Sequence, residues 1–179
     1  MPRQNRLINP DGGVYHITAR GNNKMCLFHS RRDYLKYMSI TQETKAYFPF
    51  EVFHFCLMPN HIHLCMKPLS GEHLPLIMKR INETYSRYFR KKHNYVGHVW
   101  QGRYFSSPVE NDRYLWACGA YIESNPVRAG LCSKPHEYEW SSSRHYLTKS
   151  NHFLVTDNPQ FKLLGKSRVD CALIYKDFF

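Results

Sequence analysis

Two short apolar runs separated by a turn dipeptide constrain the fold of this chain more than any other sequence feature. The runs extend from Phe50 to Met58 and from His61 to Lys67, and only Pro59-Asn60 lies between them. Apolar runs of strand length that are joined by turn residues are typical of a β-hairpin. The sequence therefore predicts a hairpin at this position.

The segments around the hairpin alternate between strand-like and helix-like patterns. Apolar and polar residues alternate from Val14 to Arg20, which predicts a strand. Apolar residues recur every three or four positions from Leu74 to Lys92, which predicts a helix. The other predicted elements are a helix from about Ser30 to Ala46, a strand from Arg103 to Val109, and a helix that begins at Asn111 or Asp112 and stops before Pro126. This order of elements predicts a ferredoxin-like α+β sandwich, with helices on one side of an antiparallel sheet.

The chain is strongly basic, with 25 Lys and Arg against 14 Asp and Glu and a formal net charge of +11. No acidic residue occurs from Thr84 to Val109, where cationic and aromatic side chains are interleaved. Cations neutralise phosphates and aromatic faces stack on unpaired bases, so this segment indicates a nucleic-acid partner, with single strands favoured over duplex. The candidate phosphate contacts and stacking residues are Arg20, Arg87, Arg90, Lys91, Arg103, Trp100 and Tyr104.

Several other classes of protein are excluded by what the sequence lacks. No apolar run reaches the length of a membrane span, and the polar, basic first residues have no apolar segment behind them that would indicate a signal peptide. The six cysteines are scattered without a CxxC pair, so a disulfide framework is not expected. We therefore expect a cytoplasmic globular protein.

His61-Ile62-His63 is the most specific motif of the chain. Alternate residues of a strand share a face, so His61 and His63 project together and can bind one divalent ion. Two ordinary histidines on the polar face of a strand would give the same pattern. A competing zinc hypothesis uses His54 with Cys56 and Cys65, although their spacing is not that of a four-ligand site.

The last predicted helix supplies a second pair of polar residues. Tyr121 and Asn125 are four residues apart, so they lie one turn from each other on the same helix face. Asn125 can offer a carbonyl oxygen to a metal, and Tyr121 presents a phenol beside it. With 13 tyrosines in the chain, a core or stacking role for Tyr121 is the alternative.

Several motifs together resemble the single-tyrosine HUH transposases, and most closely the REP-associated tyrosine transposase group. The matching segments are YHITARGNNK (15–24), HFCLMPNHIHLCM (54–66), HVWQGRYFSSPVE (98–110), YIESNPVRAGL (121–131) and EYEWSSSRHYL (137–147). The resemblance covers roughly residues 1–148, which are predicted to form the transposase domain, and leaves residues 149–179 as a tail that has no clear period and is predicted to pack separately.

The resemblance implies a role for each residue of the two motifs. His61 and His63 would be the metal ligands, Tyr121 the nucleophile, and Asn125 the third ligand. The implied reaction is cleavage and rejoining of single-stranded or hairpin DNA through a 5′-phosphotyrosine intermediate, with Mg²⁺ or Mn²⁺ as the metal. The implied setting is a bacterial protein that works at the nucleoid.

Two alternatives to this hypothesis remain open from the sequence. One is a non-catalytic, domesticated protein that binds single-stranded or hairpin nucleic acid on the same basic sheet. The other is a metal-dependent phosphodiesterase that uses water as its nucleophile. Related enzymes include monomers and dimers that share helices, so the sequence leaves both a monomer and a homodimer possible.

Overall fold

An antiparallel sheet lies at the centre of the protein. The structure is a computed structural model that describes residues 13–70, 73–148 and 150–179. Within these ranges the sheet has four strands in the order β2-β3-β1-β4, and all three pairings are antiparallel. The strands are β1 (Val14–Arg20), β2 (Phe50–Met58), β3 (His61–Pro68) and β4 (Phe105–Val109). Residue 1, where the predicted domain begins, and residue 149, where the predicted tail begins, lie outside the described residues.

The predicted hairpin is confirmed in both its strands and its turn. Met58 pairs with His61, so Pro59 and Asn60 alone connect β2 to β3. The register shifts between Val52 and His54, which marks an irregularity in β2. Both strands are buried over most of their length, as their apolar composition requires.

Three long helices accompany the sheet in the described part of the chain, and their order confirms the predicted α+β class. They are α1 (Arg31–Thr44), α2 (His73–His93) and α3 (Asp112–Arg128). The helix α1 begins after Ser30, which forms a capping box with Asp33, and the side chain of Asn111 accepts a hydrogen bond from the backbone of Tyr114 at the start of α3. Among the described residues after α3, two shorter helices follow: α4 (Ser143–Leu147) and α5 (Arg168–Tyr175).

The helices lie on both faces of the sheet, and the prediction that they lie on one side is wrong. Ile62 and Leu64 of β3 belong to the large core that also includes apolar residues of α1 and α2. Cys65 faces the opposite way, into a second cluster with Leu115 and Ile122 of α3. Because side chains alternate along a strand, the polar positions of β1 and β3 face α3. That face carries the histidine pair.

The predicted stop before Pro126 is also wrong, because α3 continues through Pro126 to Arg128. Proline has no N–H to donate to the carbonyl four residues earlier, which is that of Ile122. The side-chain amide of Asn125 donates to this carbonyl at 3.3 Å instead. A side-chain donor thus replaces the missing backbone donor, and the helix extends by nearly one further turn.

Residues 150–179 pack against the rest of the chain rather than forming a separate tail. Phe161, Cys171 and Tyr175 form a buried cluster with Trp116 of α3 and Tyr146 of α4. The apolar residues of this segment are irregularly spaced, which explains why the sequence shows no clear period there. None of the helices in the described part of the chain is long and apolar enough to cross a membrane.

Candidate active site between the sheet and helix α3

His61 and His63 lie on the face of β3 that is turned toward α3. The register between β1 and β3 places Arg20 opposite His61 and Thr18 opposite His63. Directly opposed residues of an antiparallel pair project to the same side of the sheet. The two histidines therefore share their face with polar residues of β1.

The structure brings the predicted tyrosine and asparagine to the same place as the histidines. A cavity of about 520 Å³ lies between this face of the sheet, the loop before β4 and α3. Its lining consists of Thr18, Ala19, Arg20, His61, His63, Gln101, Gly102, Arg103, Phe105, Tyr121 and Asn125. Six of the residues predicted for the site or for DNA contact thus meet in one cavity: Arg20, His61, His63, Arg103, Tyr121 and Asn125.

His63 is buried and has one nitrogen without a partner. Its Nδ1 lies 3.0 Å from Nε2 of His16, whereas its Nε2 is buried and has no hydrogen-bond partner. Burial, together with the neighbouring His16 and His61, lowers the pKa of His63 to about 3. His63 is therefore neutral near pH 7, which is the form that can bind a metal.

His61 is held in a defined orientation by the residue before it. The amide oxygen of Asn60 lies 2.6 Å from Nδ1 of His61 and can only accept a hydrogen bond, so Nδ1 carries the proton. This leaves Nε2 of His61 with a free lone pair. Burial and the nearby Arg20 guanidinium lower the pKa of His61, which also favours its neutral form.

The amide of Asn125 is fixed by the backbone of its own helix. Its Nδ2 donates to the carbonyl of Tyr121 at 2.8 Å and to that of Ile122 at 3.3 Å. Both hydrogen bonds use the amide nitrogen, so the carbonyl oxygen is left for another partner. Two imidazole nitrogens and one amide oxygen form a mixed donor set that suits a divalent cation.

The phenol of Tyr121 is accessible, with 44% of the residue exposed. Its ring meets the rings of His16 and His63 edge-on, each at 5.9 Å between centroids. The guanidinium of Arg128 lies 5.4 Å from the ring centroid of Tyr121. Tyr121 is therefore a solvent-accessible side chain in contact with His16 and His63, and a core role is excluded.

The competing zinc hypothesis does not fit the structure. His54 lies 2.9 Å from the carboxylate of Glu123, and Cys65 interacts with Cys118. Burial raises the pKa of the Cys56 thiol well above its ordinary value, which opposes the thiolate that zinc requires. In the described ranges, no group of three or more His, Cys, Asp or Glu residues is arranged to hold a metal ion.

The remaining predicted DNA-binding residues divide into three groups. Arg87, Arg90 and Trp100 line a second cavity of about 280 Å³ beside α2, and Trp100 directly precedes the loop residues of the first cavity. Lys91 is exposed but lines neither of these two cavities. Tyr104 is only 8% exposed and packs in the large core, so its prediction as a stacking residue is wrong.

Several residues of the site were not predicted from the sequence, and His16 is the most important of them. His16, Thr18 and Arg20 alternate along β1, so one face of that strand carries all three. The signal was present in the sequence, but the pairing of β1 with β3 was needed to show which face meets the histidines. Thr18 lines the cavity itself, as do Gln101, Gly102 and Phe105, which lie within two residues of the predicted Arg103.

These features define a class of protein in which one strand presents two histidines to a helix that carries a tyrosine and an asparagine. The sequence model of the family described as "Transposase IS200 like" matches residues 11–125. The chain therefore belongs to the IS200-like transposase family.

Two proteins that are named as REP-associated tyrosine transposases are similar to this chain. A Haemophilus influenzae protein named as a REP-associated tyrosine transposase is 25% identical over 143 residues, which cover 73% of this chain and 80% of that protein. The solved structure of a REP-associated tyrosine transposase bound to a REP hairpin matches with a TM-score of 0.68 and 20% identity. That match covers 89% of this chain and 96% of the solved chain, so the two share their fold.

Proposed function

We propose that this protein cleaves and rejoins single-stranded DNA next to a hairpin, with Tyr121 as the nucleophile. The observation that carries the proposal is the cavity in which Tyr121 and Asn125 of α3 meet His61 and His63 of β3. A phenol, a mixed nitrogen and oxygen donor set and two guanidinium groups together suit the attack of tyrosine on a phosphodiester. A structural cluster of polar residues would not need an accessible phenol.

The charges around the cavity support a DNA substrate. Arg20 and Arg103 are exposed and line the same cavity as Tyr121, so their guanidinium groups can bind the phosphates on either side of the scissile bond.

The neighbouring cavity adds further candidate DNA contacts, which are Arg87, Arg90 and the indole of Trp100. Because Trp100 and Gln101 are adjacent in the chain, one strand of DNA can pass from the first cavity to the second. The match to a solved chain bound to a REP hairpin supports a hairpin beside that strand.

The residues present fit a divalent cation such as Mg²⁺ or Mn²⁺. The unpartnered Nε2 of His63, the free Nε2 of His61 and the amide oxygen of Asn125 are the donors that would hold it. A cation bound there would polarise the scissile phosphate and neutralise charge in the transition state. Asn60 and the backbone carbonyls of α3 keep two of these donors oriented.

The reaction that we propose exchanges one phosphodiester for another. The phenolic oxygen of Tyr121 attacks phosphorus, an oxygen–phosphorus bond forms, and the bond from phosphorus to the 3′ oxygen breaks. The phenolic proton is lost to solvent, and the 3′ oxygen takes up a proton to become a 3′-hydroxyl. The protein then holds the 5′ end of the downstream strand, and attack by another 3′-hydroxyl reverses the step without ATP.

The test uses pooled single-stranded hairpins from the source genome, labelled at either the 5′ or the 3′ end. The hairpins are incubated with the protein and Mn²⁺, and the products are separated on denaturing gels. We expect the 3′-labelled fragment to migrate with the protein and the 5′-labelled fragment to run free. Tyr121→Phe should abolish the adduct, whereas Tyr114→Phe, which alters another exposed tyrosine of α3, should leave it intact.

The two alternatives give different products in the same assay. A phosphodiesterase that uses water cleaves the hairpins in Tyr121→Phe and leaves no protein–DNA adduct. A non-catalytic binder retains the hairpins on a native gel and gives neither cleavage nor adduct in the wild type. Either result contradicts the proposed function.

A further inference from the structure

His16 contacts two residues of the proposed active site, yet the reaction proposed for Tyr121 leaves it without a role. Its Nε2 lies 3.0 Å from Nδ1 of His63, and the two rings stack at 5.2 Å between centroids. The ring of His16 also meets that of Tyr121 edge-on. His16 of β1 is thus in contact with both β3 and the helix that carries Tyr121.

Two neutral imidazoles share a single proton across such a contact, so only two arrangements are possible. If His16 donates, the proton of His63 lies on Nε2, which is buried and has no acceptor. A buried N–H without an acceptor is rare in folded proteins and costly. If His63 donates from Nδ1, its Nε2 carries only a lone pair. The surroundings of His63 therefore favour donation from His63 to His16.

We propose that His16 is a positioning residue for His63, which it holds in the tautomer whose Nε2 is unprotonated. The proposal rests on the proposed function, because the unprotonated Nε2 matters as a metal ligand. Metal-binding histidines usually donate their other N–H to a carboxylate, a carbonyl or water, and this outer partner fixes the ring. Here a second imidazole takes that position.

His16 is a hydrogen-bond partner of His63 rather than a third histidine ligand. Two imidazoles that bind the same ion direct both lone pairs at it and cannot share a proton between those nitrogens. Nε2 of His16 lies within hydrogen-bond distance of Nδ1 of His63. Consistently, His16, His61 and His63 are not arranged as a three-residue metal group in the described part of the chain.

The first test reads the tautomer directly, in the metal-free protein. Nitrogen NMR of protein labelled at histidine distinguishes a protonated from an unprotonated ring nitrogen. We expect His63 to be protonated at Nδ1 and unprotonated at Nε2. The opposite tautomer in the wild type would overturn the proposal, whatever the protein does to DNA.

The second test measures Mn²⁺ affinity by calorimetry in wild type and two variants of His16. His16→Leu removes the acceptor and should weaken Mn²⁺ binding by about 10–100-fold. His16→Gln supplies an amide oxygen that accepts from Nδ1 of His63 and should restore most of the affinity. The matched control is His152→Leu, a half-buried histidine that does not line the cavity, and it should bind Mn²⁺ as the wild type does.

Two outcomes of the affinity test would overturn the proposal. One is wild-type affinity in His16→Leu, and the other is an equal loss in His16→Leu and in His16→Gln. Metal-free hairpin binding shows whether each variant is folded, and if His16→Leu does not fold, the tautomer of His63 in His16→Gln decides. If His61→Ala binds Mn²⁺ as tightly as the wild type, the proposed metal site fails, and the tautomer measurement still decides the role of His16.

Discussion

His54 of β2 and Glu123 of α3 form a fully buried contact, with 2.9 Å between Nδ1 and the carboxylate oxygen. Asn158 donates to the other ring nitrogen of His54 at 3.2 Å, so the proton of His54 lies on Nδ1 and is directed at Glu123. The carboxylate also accepts from Ser142 at 2.5 Å and from Tyr175 at 3.3 Å. Four segments of the chain therefore meet at one carboxylate.

This contact holds the part of α3 that carries Tyr121. Glu123 is two residues after Tyr121 and two before Asn125, so its anchorage holds the helix turn that carries both. Gly119, two residues before Tyr121, packs directly against His54, where a Cβ would lie 2.6 Å from the ring. The helix α3 is thus held against β2 on both sides of Tyr121.

Substitution of Gly119 by alanine tests this close packing. Alanine is the better helix former by about 1 kcal/mol, so helix propensity alone predicts a more stable protein. The contact with His54 predicts the opposite, a loss of about 1–3 kcal/mol in the free energy of unfolding, because the added methyl overpacks a filled site. Urea denaturation distinguishes the two signs, and an unchanged or increased stability would contradict the packing described for α3.

The buried carboxylate of Asp33 leads us to expect that the protein loses stability in acid. Burial alone would raise its pKa, but hydrogen bonds from Lys92, Tyr88 and Ser30 outweigh burial and hold the pKa well below its ordinary value. A depressed folded-state pKa stabilises the protein above the unfolded value of 3.8, and this stability is lost as the pH falls below it.

The variant Asp33→Asn measures this contribution. At pH 7 it should lower the free energy of unfolding by about 2 kcal/mol, because hydrogen bonds to a charged group are lost. The difference from the wild type should shrink as the pH is lowered from 5 to 3 in urea titrations. A difference that is constant over this range would show that the charge of Asp33 contributes nothing.

We expect the substitution Pro126→Ala to leave the protein at least as stable as the wild type but to weaken metal binding. Pro126→Ala restores a backbone donor for the carbonyl of Ile122, which is now served by the amide of Asn125 at 3.3 Å. We expect a thermal midpoint at or above that of the wild type, together with weaker Mn²⁺ binding, because Asn125 loses one of its two fixed contacts. Calorimetry with Mn²⁺ measures the second effect, and wild-type affinity would show that Pro126 does not position Asn125.

The guanidinium groups of the cavity predict the salt dependence of DNA binding. Arg20→Gln and Arg103→Gln should each reduce the slope of log affinity against log salt by roughly 0.7, the value of one phosphate contact on a single strand. Arg32→Gln is the matched control, because Arg32 is exposed on α1 and lines neither cavity. Fluorescence anisotropy with a labelled hairpin gives the slopes. Equal slopes in all three variants would show that Arg20 and Arg103 make no phosphate contact.

The parts of the site that depend on local periodicity could be predicted from the sequence. The alternation of β3 placed His61 and His63 on one face, and the four-residue spacing placed Tyr121 and Asn125 on one helix face. Such relationships depend only on the geometry of one element.

The parts that depend on contacts between distant segments could not be predicted. His16 reaches His63 only through the pairing of two strands that are 47 residues apart in the chain. The position of α3 on the opposite face of the sheet depends on buried contacts such as that of His54 with Glu123. Tyr104 and Trp100 are both aromatic, and only the structure shows that Tyr104 is buried in the large core.

Mass spectrometry of the protein–DNA adduct identifies the residue to which the DNA is attached. The wild type is incubated with a cleavable hairpin and Mn²⁺, digested with a nuclease and a protease, and the peptide that carries the residual nucleotide is sequenced. We expect a phosphodiester on the phenolic oxygen of Tyr121 and an unmodified Tyr114. A nucleotide attached to any other residue, or cleaved DNA without a modified peptide, would contradict it.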